Sequence, residues 1–449
     1  MTRVEQTDSI QQVEKGMPTE RFESLTQSWR GVDESARLLK RLYLVERETM
    51  RALGGRHLSI SNWELKTLMP RQWWHDSLHA NTLRERVLEL RYPKRDVDSG
   101  HDPQLVEFLE QLTRAQTDAE FALGIYHVVK PALVEAYRSY LVGADELNDS
   151  ASIYHLSHIL LDEPTHLDQA AAVIEALPQD AIDAAQPWVE YLRASLAAAG
   201  GILGDSTRGD LPADHACTGR PPYEIPARAV RDPRFRPATV ESPLRRPRSP
   251  REEQVWYAID HANEGWAAEV PGALMWQWRD MPWSFYMDAA RWGSDEMRHA
   301  LMGIRRLDAW GFEAGVDYPM VGDPYHAILE KGGGLLEVLA LLYYFERDAP
   351  AHRQKAKRRF DELDDESSAQ DIDYDWADEA IHVRFGYTWL HHILGPEAKE
   401  HFPALVKQAG AMWEEWVAER WQRGEDGYAP FMERIEARIA AAEAAAKDA

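Results

Sequence analysis

The chain has 449 residues, of which 44% are hydrophobic and 28% charged, and its net charge is −24. This is the make-up of a globular protein too long for one ordinary hydrophobic core, so two domains are expected. An excess of 75 acidic over 51 basic residues argues against nucleic acid as the main partner, because phosphate binding needs a basic face. The only cysteine, Cys217, excludes an internal disulfide framework and any cysteine-based zinc or iron–sulfur site, so a bound metal must rely on oxygen and nitrogen ligands.

The first residues, "MTRVEQTDSIQQVEKGMP", are polar and lack the apolar core of a secretory signal. No apolar run approaches the ~18 residues of a membrane span, so no membrane partner is expected and the cytoplasm is the default location. Helical periodicity begins at "DESARLLKRLYLVERETMRALGG" (33–55), with Asp33 as a start signal and Gly54-Gly55 as a stop. A second helix is expected over 61–91, followed by the loop "YPKRDVDSGHDP". Residues 104–143 read as one long helix or two in series, kinked at Pro131. Further helices follow over 149–177 and 180–200. Residues 203–253 break the pattern with nine prolines and many arginines, and read as an extended connector whose basic charge suits an acidic body. Helical period resumes from about 252 to "RDMP", then from Pro282 through "DEMRH" to Gly311, and again over "HAILEKGGGLLEVLALLYYFERDAP". Residues 351–370 read as a short helix plus loop, with "DELDDES" a solvated stretch. "DIDYDWADEAIHVRFGYTWLHHILG" and an Ala-rich terminal helix complete the set. Strand-like alternation is nearly absent, so the expected fold class is all-α.

Three copies of Asp-Glu-x-x-His stand out: "DEPTH" at 162–166, "DEMRH" at 295–299 and "DEAIH" at 378–382. Residues i and i+3 share a helix face, so such a Glu and His can hold one ion from one helix. In an antiparallel hairpin, residues at equal depth lie roughly thirty positions apart. Glu264 stands 32 residues before Glu296, Glu346 stands 33 before Glu379, and Glu135 stands 28 before Glu163. In the first hairpin Glu46 stands 30 before Asp76, and Asp76-x-x-His79 is the same motif shortened by one methylene. Glu269 competes with Glu264, and Glu337 with Glu346, for the upstream positions. A carboxylate from each of two helices with Glu-x-x-His from each of two others is the ligand set of a di-metal carboxylate bundle. The order of motifs suggests a tandem: a first bundle over 30–202, the connector over 203–253, and a second bundle over 254–449.

On Glu264, "DEMRH", Glu346 and "DEAIH", residues 254–395 resemble the ferritin-like di-metal carboxylate superfamily, which includes rubrerythrins, bacterioferritins, ribonucleotide reductase small subunits and bacterial oxygenases. Residues 34–177 resemble the same fold less closely, through Glu46, "HDSLH", Glu135 and "DEPTH". The resemblance implies two iron ions, with manganese as the alternative. It implies Glu296 and Glu379 as bridging carboxylates, His299 and His382 as one imidazole ligand per ion, and Glu264 and Glu346 as terminal ligands. Asp295 and Asp378 would orient a histidine across the site. A second metal site would comprise Glu46, Asp76, His79, Glu135, Glu163 and His166. Two departures leave metal at that site open: Asp76 is short, and Pro164 inside "DEPTH" is expected to disturb its helix. His155, His158, His391 and His392 read as core or surface residues. Tyr286, Tyr343, Tyr344 and Trp292 read as core aromatics that are also candidates to flank a radical-forming centre.

The expected activity is that of a di-iron oxygenase or oxidase acting on a small-molecule substrate from the C-terminal bundle. Without a flavin or pyridine-nucleotide fingerprint, electrons would come from an external donor, and a homodimer is compatible with the sequence. Two alternatives stay open: a metal-free helical scaffold that binds a partner, and a di-manganese peroxidase or catalase-like enzyme.

Overall fold

The computed structural model describes residues 29–213, 215–235, 248–425 and 429–448. The polar N-terminal stretch and residues 236–247 of the connector lie outside them. The described residues form an all-α protein without a β-strand, and no helix among them is long and apolar enough to cross a membrane.

The N-terminal helices are α1 (Val32–His57), α2 (Trp63–Glu89), α3 (Pro103–Leu112), α4 (Asp118–Gly124), α5 (Lys130–Val142), α6 (Ser150–Glu175) and α7 (Gln179–Ala198). Asn62, Asp102 and Thr117 start α2, α3 and α4 by accepting hydrogen bonds from backbone N–H groups of the first turn. Between α4 and α5 the chain stays helical through a π turn at Ile125–Val129, which Pro131 follows in the first turn of α5. Helix α6 runs unbroken through Pro164, contrary to expectation. Pro164 sits on the exposed face, where solvent serves the carbonyl it leaves free.

The C-terminal helices are α8 (Pro250–Asn263), α9 (Glu269–Gln277), α10 (Trp283–Ala309), α11 (Pro324–Glu330), α12 (Leu335–Glu346), α13 (Ala349–Glu362), α14 (Glu366–Leu394), α15 (Ala398–Gln422) and α16 (Met432–Asp448). The helix expected over 252–278 is broken by a 3-10 turn at Glu264–Trp266. The run 326–350 is split into α11 and α12 at Gly332–Gly334, where Gly332 takes a positive φ of 79°. Residues 351–370 are more helical than expected, and α15 occupies a stretch for which no helix was read.

Gly54 and Gly55 do not stop α1. They let α9 pack against it: Gly54 faces Gly272 backbone to backbone, and Gly55 lies under the Trp276 ring. Helix α1 packs on α2 and α9, and α2 also packs on α10, so one hydrophobic cluster extends from Leu38 to Ala409. Polar contacts close the same seam. Trp73 Nε1 donates to Ala290 O at 2.9 Å, Arg51 Nε donates to Met275 O at 3.1 Å, and the buried Lys66 pairs with Glu269 at 2.9 Å. The connector adds cations to this seam: Arg231 pairs with Glu269 at 2.7 Å, and Arg228 with Asp323 at 3.1 Å.

His57 lies buried in the seam, with Nε2 against Lys66 O at 3.1 Å and its ring edge-on to Trp73. Burial, then the nearby Lys66 ammonium, holds its pKa well below the ordinary value. The unfolded chain therefore takes up a proton near pH 6.5 that the native state refuses. This contribution to stability is complete above that pH and is lost as pH falls through the window. Urea unfolding at pH 7 and pH 5 should show the wild type losing stability at up to about 1.4 kcal/mol per pH unit for this one proton. His57→Gln should lose measurably less over the same interval.

Candidate metal centre

Four C-terminal segments deliver one polar cluster into an otherwise apolar interior. The 3-10 turn after α8 brings Glu264, α10 brings Glu296 and His299, the end of α12 brings Glu346, and α14 brings Asp375, Glu379 and His382. The cluster has two halves. In the first, Glu264, His299, Asp375 and Glu379 offer donor atoms within 4.8 Å of one another, and His299 Nδ1 lies 3.2 Å from Glu264 Oε2 and 3.8 Å from Asp375 Oδ1. In the second, His382 Nδ1 lies 3.3 Å from Glu296 Oε1 and 3.6 Å from Glu346 Oε1. Glu379 Oε2 is also 3.8 Å from His382 Nδ1, so this carboxylate belongs to both halves.

The outer nitrogens of the two imidazoles are held crosswise. His299 Nε2 meets Asp378 Oδ2 at 3.2 Å, and His382 Nε2 meets Asp295 Oδ2 at 3.4 Å. Arg291 and Arg298 each bind both aspartates. A carboxylate on Nε2 keeps a proton there and turns the Nδ1 lone pair inward, as a metal ligand requires. Trp292 Nε1 donates to Glu296 at 2.8 Å and to Glu346 at 3.2 Å, while its ring stacks on His382. Asp375 Oδ2 accepts from His261 Nε2 at 2.8 Å and pairs with Arg353 Nε at 2.6 Å; Arg353 also pairs with Glu264. Asp375 Oδ1 is left facing His299.

The cluster is an unbalanced set of charges. Burial, then the neighbouring Glu346 carboxylate, pushes the Glu296 pKa up to about 8. Burial opposes charge on His382 and His299, but the surrounding carboxylates outweigh it and hold both pKa values well above the ordinary one. Glu264 Oε2, His299 Nδ1, Asp375 Oδ1, Glu379 Oε2 and His382 Nδ1 are all buried without a hydrogen-bond partner. Orphaned buried oxygen and nitrogen atoms that converge on shared points are what a cation would satisfy. The donor set therefore fits metal ions.

The candidates left open by spacing are separated here. Glu264 and Glu346 reach the cluster. Glu269 does not, because it is neutralised by Lys66 and Arg231 in the seam. Glu337 does not, because its Oε2 accepts from Gly334 N at 2.9 Å and caps the start of α12. Of the aromatics, only Trp292 touches a candidate ligand carboxylate. Tyr286 donates to Trp278 O, Tyr344 donates to Glu414, and Tyr343 packs on Phe402. Sequence reasoning missed Asp375, His261 and Arg353. Asp375 has a visible signal, one turn before Glu379 on the same helix face, whereas Arg353 lies in the segment whose pattern reads as a short helix and loop.

The N-terminal cluster is built differently. Glu46 from α1, Asp76 and His79 from α2, and Glu163 and His166 from α6 do converge, and all are buried. His79 Nδ1 lies 3.3 Å from Glu46 and 3.5 Å from Glu163, and its Nε2 meets Asp162 at 3.2 Å. Glu135 is not among them. Five residues after Lys130, it points to the opposite side of α5 and is exposed. Lys130 points inward in its place. Its Nζ donates to Asp76 and, at 2.7 Å, to Glu163, with Glu46 4.0 Å away. Burial disfavours the ammonium, yet Asp76, Glu163 and Glu46 outweigh this and hold its pKa well above the ordinary value.

The family described as "Protein of unknown function (DUF455)" matches residues 192–431. That span holds every residue of the C-terminal cluster and none of the N-terminal one. No curated protein and no solved structure matches the chain.

Proposed function

Since the chain belongs to the DUF455 family, which carries no assigned activity, we propose a function from the geometry: a non-haem di-iron oxidoreductase of the ferritin-like carboxylate superfamily. In this reading the protein is an oxygenase or oxidase for a small-molecule substrate, served by an external electron donor, and the chain is two ferritin-like bundles in tandem. The observation that carries it is the set of orphaned buried donors from three segments, with both imidazoles aimed inward by crossed aspartates.

Glu264, His299 and Asp375 would hold one ion, Glu296, Glu346 and His382 the other, and Glu379 would serve both. Two ferrous ions there would supply the paired electrons that reduction of dioxygen requires. The chain's own part is positioning. Arg291 and Arg298 each pair with both Asp295 and Asp378, and these aspartates hold the imidazole protons on Nε2. Trp292 orients Glu296 and Glu346 and, with Phe385, walls the second half with aromatic surface. Metal entry must displace protons from His299 and His382, so affinity should rise with pH.

Protein purified from iron-supplemented cells should contain about two irons per chain and consume dioxygen when the ferrous form is exposed to air. The double variant His299→Ala, His382→Ala, which removes the imidazole from each half, should lose both ions and the oxygen uptake while keeping its helical circular dichroism. Stoichiometric metal retained by the double variant would sink the assignment. Peroxide turnover with manganese but not iron would move it to the peroxidase class.

A further inference from the structure

The N-terminal cluster repeats the four acidic positions and two histidines of the C-terminal one, with one charge reversed, while Ile159 stands where Asp375 would be. Glu46 precedes Asp76 by 30 residues, as Glu264 precedes Glu296 by 32. Lys130 precedes Glu163 by 33 residues, the same interval by which Glu346 precedes Glu379. The cross-pairing of the outer nitrogens also repeats. Asp162 binds His79 Nε2 at 3.2 Å, and His75 Nδ1 meets His166 Nε2 at 2.9 Å, where the C-terminal cluster uses Asp295 and Asp378. Lys130 thus stands where the fourth carboxylate would be, turned inward directly after the π turn Ile125–Val129.

We infer that the N-terminal cluster is a metal-free copy of the C-terminal centre in which the Lys130 ammonium has replaced both a ligand and an ion. Charge supports this. Glu264, Glu296, Glu346, Asp375 and Glu379 carry five negative charges, one of them met by Arg353, and two divalent ions balance the remaining four. Glu46, Asp76 and Glu163 with Lys130 carry a net two, so two divalent ions would bury two uncompensated positive charges. Geometry supports it too. Lys130 Nζ binds Asp76 and Glu163 together, the place a shared cation would take, and a like charge there repels any ion. The cluster nevertheless keeps its inward donors: Glu46 Oε2, Asp76 Oδ2, His79 Nδ1, Glu163 Oε2 and His166 Nδ1 are buried without hydrogen-bond partners. Restoring a carboxylate at 130 should therefore rebuild a binding site.

The test uses the full chain carrying His299→Ala and His382→Ala, one ligand removed from each half, so that the result does not depend on what the C-terminal centre binds. Cobalt(II) is the probe, read by equilibrium dialysis and by its visible ligand-field absorption. With Lys130 present, no cobalt should bind at this cluster. Lys130→Glu should take up about two cobalt ions per chain and melt at a higher temperature with cobalt than without. Lys130→Met, which keeps the packing and removes the charge, is the second variant and should take up at least one. In the otherwise unaltered chain, His79→Ala should leave cobalt uptake unchanged. The inference is overturned if uptake with Lys130 intact falls on His79→Ala, or if neither Lys130 variant binds cobalt.

Discussion

Lys130→Met is expected to destabilise the folded protein by about 3–5 kcal/mol, the range for removing one partner from a buried ion pair. The reason is what remains. Asp76, Glu163 and Glu46 are all buried, and Lys130 is the cation that binds the first two directly. Methionine fills a similar volume, so little of the loss should come from packing. The effect should depend on pH in a defined direction. Without the ammonium the carboxylates hold their protons to higher pH, and protonation relieves their repulsion, so the difference from wild type should shrink from pH 8 to pH 5. Denaturant unfolding at both pH values measures this, and a difference that is small at pH 8 would show that the three carboxylates do not need the lysine.

Gly303→Ala should cost about 3 kcal/mol, the upper end for overpacking, because the added methyl meets backbone rather than a movable side chain. A Cβ at Gly303 would overlap the Ala258 carbonyl oxygen and lie 2.6 Å from Ala262 N, so α8 and α10 would have to move apart. The site feels the same displacement. Glu264 follows the end of α8, while Glu296 and His299 lie on α10, and Glu264 reaches His299 at 3.2 Å only because the two helices touch. The variant should therefore lose metal affinity as well as stability. Denaturant unfolding of the metal-free protein and metal titration of the folded protein read the two effects separately. Unchanged affinity in a destabilised variant would mean that Glu264 is not a required ligand.

Much of the candidate centre was legible in the chain itself. Glu and His three apart share a helix face whatever surrounds them, and a hairpin of ordinary length sets the interval to its partner carboxylate, so Glu264, Glu296, His299, Glu346, Glu379 and His382 could be named from spacing alone. The same rule failed for Glu135. Glu135 is the nearest carboxylate at roughly the right interval, and nothing in the string shows that the π turn before Lys130 sets which residue faces inward. Gly54-Gly55 misled for a related reason. A glycine pair reads as a helix stop, but here its missing side chains serve a neighbouring helix remote in sequence.

What the sequence by itself determined is local: helical period, i to i+3 pairing on one face, and the absence of sulfur ligands, all properties of a single rod and its residues. Only the tertiary structure decided which carboxylates are ligands and which are already neutralised. Glu269 meets Lys66 and Arg231, Glu337 meets the Gly334 N–H, and Arg353 meets Asp375 across elements that no local pattern connects. Whether a buried carboxylate is free to bind a cation depends on the charges that packing brings beside it, and packing joins residues far apart in the chain.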